Sequence, residues 1–242
     1  MLVVELDGKP GLAKLVGDDV GYLALTPAAA LAEYLETHGL GRVAKRLANS
    51  GVIDVVATAA PGIDDIVVLG KVKQLEQSGS YDLIVVDGPA AGHALTFLMA
   101  PVNLLKLVRG GPIRSQAIEV SELLSDPSRT EVVLVTLPET TPVNEVLETA
   151  EALRESGGLR LGPVVVNAFD EGEDLAVDAA PHGSPLRAAA EFRNARRALH
   201  RREAQRVAES FDIPQIRVPL VAAAAIDDAA IGQFAEQLGE PS

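Results

Sequence analysis

The chain has 242 residues, of which 48% are hydrophobic and 3% aromatic, with no cysteine and no tryptophan. One α/β domain is commonly this large, and a core of Ala, Val, Leu and Ile suits parallel strands covered by helices. A net charge of −13 repels phosphate backbones and speaks against nonspecific nucleic-acid binding, while the lack of cysteine excludes disulfides, thiolate metal sites and thiol nucleophiles. No apolar run reaches the roughly 18 residues a membrane span needs. The N-terminal segment also lacks the basic region and cleavage site of a signal peptide. A cytoplasmic location is the expectation.

Five short β-branched runs read as strands buried on both faces. They are residues 2–6, ending at Asp7; 84–86, ending at Asp87; 132–137, ending at Pro138; 164–166, ending at Asn167; and 215–218, ending at Pro219. Helical patterns lie between them at 28–48, 64–77, 144–155 and 186–211, with further helical elements expected over 94–125. Strand alternating with helix predicts a parallel sheet with right-handed crossovers. The acidic stretch 169–184 reads as an exposed loop. No internal repeat and no dividing linker is evident, so one domain over 1–242 is expected.

In an open parallel sheet, ligands collect beyond the C-terminal strand ends. Here those ends offer Asp7, Asp87, Pro138, Asn167 and Pro219. A hydrophobic strand delivering an Asp is the arrangement in which a carboxylate supports Mg²⁺ in phosphoryl-transfer proteins. The loop Gly88-Pro-Ala-Ala-Gly92-His93 follows, and its small residues let a backbone approach a phosphate closely. Two readings stay open for this stretch, a switch loop and an ordinary strand-to-helix turn. Asp7 sits in Asp-Gly-Lys-Pro-Gly, which is turn chemistry in its own right.

Residues 81–101 resemble the Walker B and second-switch motif of the anion-transporting ATPase family, which holds the arsenite-pump and tail-anchored-protein-targeting ATPases. Pro61-Gly-Ile-Asp-Asp65, Val135-Thr-Leu-Pro-Glu139 with Asn144-Glu145, Val164-Val-Val-Asn167 and Val218-Pro-Leu220 are similar, in order, to four further family segments. The similarity is greatest to the shorter, cysteine-free actinobacterial-type members. It implies a P-loop NTPase-like fold, ATP and Mg as cofactors, and hydrolysis coupled to a switch-driven conformational change. It implies that Asp7 orients the attacking water and that Asp87 supports Mg²⁺ through water. Gly88, Gly92 and His93 fall in the switch that senses the γ-phosphate, although His93 also suits a plain exposed loop. Asn167 is implied to bond the base, with Pro219 beside it. The resemblance further implies a homodimer or a heterodimer with a paralogous ATPase. It involves no nucleic acid and no transmembrane segment, and is compatible with peripheral contact to a membrane partner.

The departures are as specific as the matches. A P-loop needs a strand, a Gly-rich turn ending Gly-Lys-Ser/Thr, and a helix. The only Gly-Lys pairs are Gly8-Lys9, followed by Pro10, and Gly70-Lys71, within a helical pattern. The expectation is that the first strand, P-loop and first helix, about 30 residues as one βαβ step would have it, precede Leu2. A truncated reading frame and a nucleotide-free descendant, which would act as a regulatory partner of a P-loop-bearing paralogue, both fit; whether the chain is itself an enzyme is left open. The stretch 14–25 is shorter than the family's usual connection. Without cysteine there is no thiol site for arsenite and no zinc clasp. With two methionines no Met-rich groove is evident. The seven arginines between 187 and 206 read either as a surface for an acidic partner or phosphate, or as a solvated face near Glu191, Glu203 and Glu209. A dinucleotide-binding reading is weak, because no G-x-G-x-x-G follows a strand.

Overall fold

The computed structural model describes residues 1–6, 11–17, 19–37, 39, 62–156, 158–221 and 226–239. Asp7, Lys9, Pro61 and most of the expected helix beyond residue 37 lie outside the described residues. The chain divides into two compact units, Met1–Thr130 with Ser156–Gly158, and Glu131–Glu155 with Leu159–Ser242.

The first unit holds a parallel three-stranded sheet in the order β2-β1-β3, built from β1 (Leu2–Glu5), β2 (Gly21–Ala24) and β3 (Ile84–Asp87). The central strand is the most buried, with Leu2, Val4 and Glu5 buried. The helices are α1 (Pro27–Thr37), α2 (Ile63–Gln77), α3 (Ala91–Leu107) and α4 (Pro112–Ser125). Ile66, Val67 and Leu69 on α2 and Ala117 and Val120 on α4 are buried, so these helices carry much of the unit's core. Gly62 opens α2 at φ 85°, a left-handed conformation that suits a residue without Cβ. Its Cα faces α3, with Leu104 and Ala100 within 4 Å of a would-be Cβ. Gly70-Lys71 lies inside α2, as its sequence context requires, and is no phosphate loop.

The second unit holds another parallel sheet, β4-β5-β6, from β4 (Val132–Thr136), β5 (Leu161–Phe169) and β6 (Gln215–Pro219). Its helices are α5 (Thr140–Glu155), α6 (Pro185–Ser210) and α7 (Asp228–Gly239). Val143, Leu153, Val164, Val166 and Ala204 are buried. Pro185 stands at the start of α6, and the Ser184 hydroxyl accepts the Arg187 N–H at 3.2 Å. Both are ordinary helix-start devices.

All five expected strands are present, and β2 is an addition. Among the described residues the strands form two three-stranded sheets, both parallel as expected. No described helix is long and apolar enough to cross a membrane.

Candidate functional site

In the first unit, β3 carries Asp87 to the C-terminal edge of its sheet, where it is exposed. The register sets Asp87 beside Glu5 of β1, and Glu5 beside Ala24 of β2. Gly88 and Gly92 are exposed, and a Cβ at either would meet nothing within 4 Å. Ala90 ends the loop and starts α3 with no side-chain cap. Its carbonyl accepts from His93 and Ala94 at 2.8 and 2.9 Å. The N–H groups of the residues before them, Ala91 and Gly92, are by position the orphan donors of a helix N-terminus. A 17-residue helix adds its dipole, so this end favours an anion.

Two features here were not assigned from sequence. Glu5 is buried and accepts from the Tyr22 hydroxyl and from the backbone N–H groups of Gly11 (3.2 Å) and Leu12 (3.4 Å). Its carboxylate therefore fixes the chain on the far side of the segment containing Asp7. An acid inside an apolar strand was the available signal. Glu5→Ala is expected to destabilise the first unit by about 2–4 kcal/mol, since the donors it satisfies are part-buried and hydrogen bonds to charged groups are the stronger kind. Urea unfolding checks this, and Glu5→Gln should recover part of the loss.

The second feature is the acidic pair at the start of α2. Burial pushes the carboxyl pKa of both Asp64 and Asp65 up. Asp65 is raised further by Asp64 and lowered by the charge of His93. Both residues lie in the first turn of α2, and Gly62 just before them faces Ala100 and Leu104 of α3.

In the second unit, Asn167 of β5 and Pro219 of β6 both lie towards the C-terminal end of the sheet. The β5–β6 register shifts between Val166 and Phe169, and Phe169 then pairs with Pro219. The shift contains Ala168, which has φ 56°. A non-glycine residue there costs about 1–2 kcal/mol, and such bulges re-aim side chains. Asn167 is exposed, and its Oδ1 accepts the Ala168 N–H at 2.9 Å. That leaves the amide NH₂ to donate outward. The Arg217 guanidinium sits 4.9 Å from the Phe169 ring centroid. Asp87 to His93 belong to the first unit, and Asn167 and Pro219 to the second.

The arginines of α6 are neither a free anion surface nor a plain solvated face. Arg193 and Arg197 pair with Asp170, Arg197 and Arg201 with Asp174, and Arg187 with Asp178 and Glu191. Arg196 pairs with Glu139 at 2.9 Å, just after β4. Arg202 and Arg206 pair with Glu203, and Arg206 also donates to Asn144 at 2.8 Å. The loop after Phe169 is largely exposed as expected, yet it is strapped to α6 by its acidic residues. His200 is buried among them, with Nδ1 3.4 Å from the Asp170 N–H.

Burial, then the positive charge of Arg196, pushes His200 below its ordinary value of 6.5. The Arg193 hydrogen bonds hold Asp170 below the usual carboxylate value. Both groups have folded values below their unfolded ones. Their contribution to stability is therefore present above the unfolded value and is lost as pH falls through the folded one. Thermal unfolding of the chain is expected to weaken first as pH drops below 6.5, where unfolded His200 takes up a proton. A second loss follows in the carboxylate range. His200→Gln should flatten the first step only.

The α/β units, with parallel sheets flanked by helices, are consistent with a P-loop NTPase-like fold. The profile described as Anion-transporting ATPase matches residues 29–110. The chain is 33% identical over 204 residues to ATPase BagA of Mycobacterium tuberculosis, which covers 73% of this chain and 59% of that protein. It is 25% identical over 158 residues to ATPase GET3B of Arabidopsis thaliana, covering 51% of this chain and 38% of that protein. With ATPase ARSA1 of Chlamydomonas reinhardtii it shares 26% over 162 residues, or 52% and 21% of the two chains. These matches support the anion-transporting ATPase family for this chain. The chain spans about 59% of the length of the mycobacterial relative.

Proposed function

We propose that this chain is the switch-bearing part of an Mg-ATP-hydrolysing protein that turns loss of the γ-phosphate into motion of the 88–93 loop. The observation that carries the reading is the uncapped start of α3 directly behind Asp87. The donor set fits the group: a carboxylate for a hydrated cation, backbone N–H donors for a phosphate, and open space over Gly88 and Gly92. Mg²⁺ would supply charge neutralisation on the phosphate oxygens. Asp87 would hold the cation's water shell, and the Ala91 and Gly92 N–H groups would receive the terminal phosphate. Asp7 would orient the attacking water. Asn167 would donate to an acceptor on the base, with Pro219 against it. Catalysis would come from positioning and charge rather than a covalent intermediate. Within residues 1–242 no strand leads into a Gly-Lys-Ser/Thr loop, so the phosphate-gripping backbone would come from a strand–loop–helix unit outside them.

The test is Gly92→Ala in the assembled protein. The space over Gly92 and its helical setting predict stability unchanged or raised by up to about 1 kcal/mol. The new methyl would occupy the position the γ-phosphate approaches, so ATP turnover should fall by about tenfold or more while ADP affinity changes little. Unchanged ATP turnover would remove the loop from the reaction.

The lack of a Gly-Lys-Ser/Thr loop also favours a second reading, in which the chain pairs with a P-loop-bearing paralogue and regulates it without binding nucleotide itself. Calorimetry separates the two. No ATP binding in the paralogue–chain complex at this chain's own Asp87 site, with turnover set wholly by the paralogue, favours the regulatory reading. A homodimer, a paralogous heterodimer and a cytoplasmic location are part of the proposal.

A further inference from the structure

Helices α1, α2 and α4 of the first unit line a cavity of about 400 Å³. Helix faces that meet inside a fold are ordinarily apolar. Here each helix turns a polar row towards the cavity at helical spacing: Glu33 and Thr37 on α1, Gln74 and Gln77 on α2, Gln116 and Glu119 on α4. Lys71 and Lys73 complete the charged lining. Lys71 pairs with Glu33 and Lys73 with Glu119, so one neutral ion pair stands on the α1 side and one on the α4 side. Lys73 is 7% exposed. An ammonium carries three donors, and among the described residues only Glu119 accepts from this one. A buried ammonium with so few partners is costly. Among the described residues the side-chain amides of Gln77 and Gln116 have no partner, and that of Gln74 has only Lys71. Gly70 makes room for one of them: a Cβ there would fall 1.5 Å from the Gln116 Nε2.

We propose that this cavity is a binding site for a small, neutral, polyhydroxylated ligand of the carbohydrate class. Its volume falls in the range of small-molecule sites, about 300–1,000 Å³. Charge selects the class. Two ammonium groups and two carboxylates cancel. An anion would have to take a lysine from its glutamate, and a cation a glutamate from its lysine, and breaking a part-buried pair is expensive. A hydroxyl group needs neither. It donates to a carboxylate or amide oxygen and accepts from an ammonium or amide N–H in the same place. The three glutamine amides offer both functions without charge. Tyr34 and Val67 add apolar surface for the ligand's C–H faces. The lining includes no residue from Asp87 to His93, so the proposal stands apart from the ATPase reading and is tested without nucleotide.

Saturation-transfer NMR titrations of the full chain supply the test. The neutral probes are D-glucose, D-mannose, D-galactose and myo-inositol. D-gluconate and D-glucosamine are their charged counterparts. At least one neutral probe should bind saturably, and about tenfold or more tighter than either charged one, the factor that breaking an ion pair imposes. Lys73→Met and Gln116→Leu should each weaken that binding by about tenfold or more, since each removes donors from the site. Glu119 is half exposed and returns to water in Lys73→Met, so the variant should fold. Gln116→Leu keeps the test should it not, and circular dichroism checks both. Glu171→Gln, exposed in the second unit, should bind as the unaltered chain does. Loss of binding in either folded lining variant supports the proposal. Saturable binding by none of the four neutral probes overturns it. So does tighter binding of a charged probe, or binding unchanged in both lining variants, which would place the sugar elsewhere.

Discussion

Asp87→Asn is expected to lower Mg-ATP hydrolysis of the assembled protein by about 10²–10³-fold, the usual cost of losing one charge-stabilising group in a reaction site. The side chain is exposed at the end of β3, so unfolding stability should shift by about 1 kcal/mol or less. The amide keeps the shape and one acceptor oxygen but loses the charge that supports Mg²⁺. The defect should therefore be steepest at low Mg²⁺ and partly relieved as Mg²⁺ is raised. Steady-state turnover against Mg²⁺ concentration checks this. A uniform loss at every Mg²⁺ concentration would assign Asp87 another role.

Glu203→Ala is expected to cost the second unit as much stability as Glu5→Ala costs the first. The carboxylate is 1% exposed and accepts from Arg202 (2.8 Å), Arg206 and Thr140 (3.2 Å). Burial opposes its ionisation, yet the Arg202, Arg206 and Thr140 hydrogen bonds hold its pKa below the ordinary value. Removing one partner of a buried charge pair costs about 3–5 kcal/mol when the other stays buried. Here the arginine side chains are 64% and 38% exposed and can return to water, so about 2–4 kcal/mol is expected. Glu203→Gln preserves the packing and should lose about half as much. Denaturant midpoints of the three proteins give the comparison. Because Thr140 opens α5, the loss should appear as a loosened α5–α6 contact in amide exchange.

The strand frame was legible because β-branched apolar runs of this length have few other uses. Strand β2 was missed because Gly21 to Ala24, Gly-Tyr-Leu-Ala, begins at a glycine and carries no β-branched residue. β5 was read only at 164–166, since Gly162 and Pro163 look like breakers, but Pro163 stands near the strand start, where a missing N–H is tolerated. The turn after Asp87 was legible from order and composition, but it is shorter than expected, since Ala91 to His93 already belong to α3. The partners of Glu5 were not, because Tyr22, Gly11 and Leu12 reach it only through the β1–β2 pairing. The salt-bridge strap was half legible. Asp170, Asp174 and Asp178 recur every four residues, as do Arg193, Arg197 and Arg201, but spacing alone does not say that the two rows face each other. The influence of His93 on Asp65 depends on how α2 packs on α3 and has no sequence signature.

The central claim is that the loop behind Asp87 reports the γ-phosphate. Backbone amide exchange at Ala91 and Gly92, measured in the assembled protein with Mg²⁺ and either ADP or a slowly hydrolysed ATP analogue, tests it most directly. Exchange should slow by about tenfold or more with the analogue relative to ADP, as two orphan N–H groups gain an acceptor. The difference should vanish in Asp87→Asn. Equal exchange with both nucleotides bound at saturation would contradict the account.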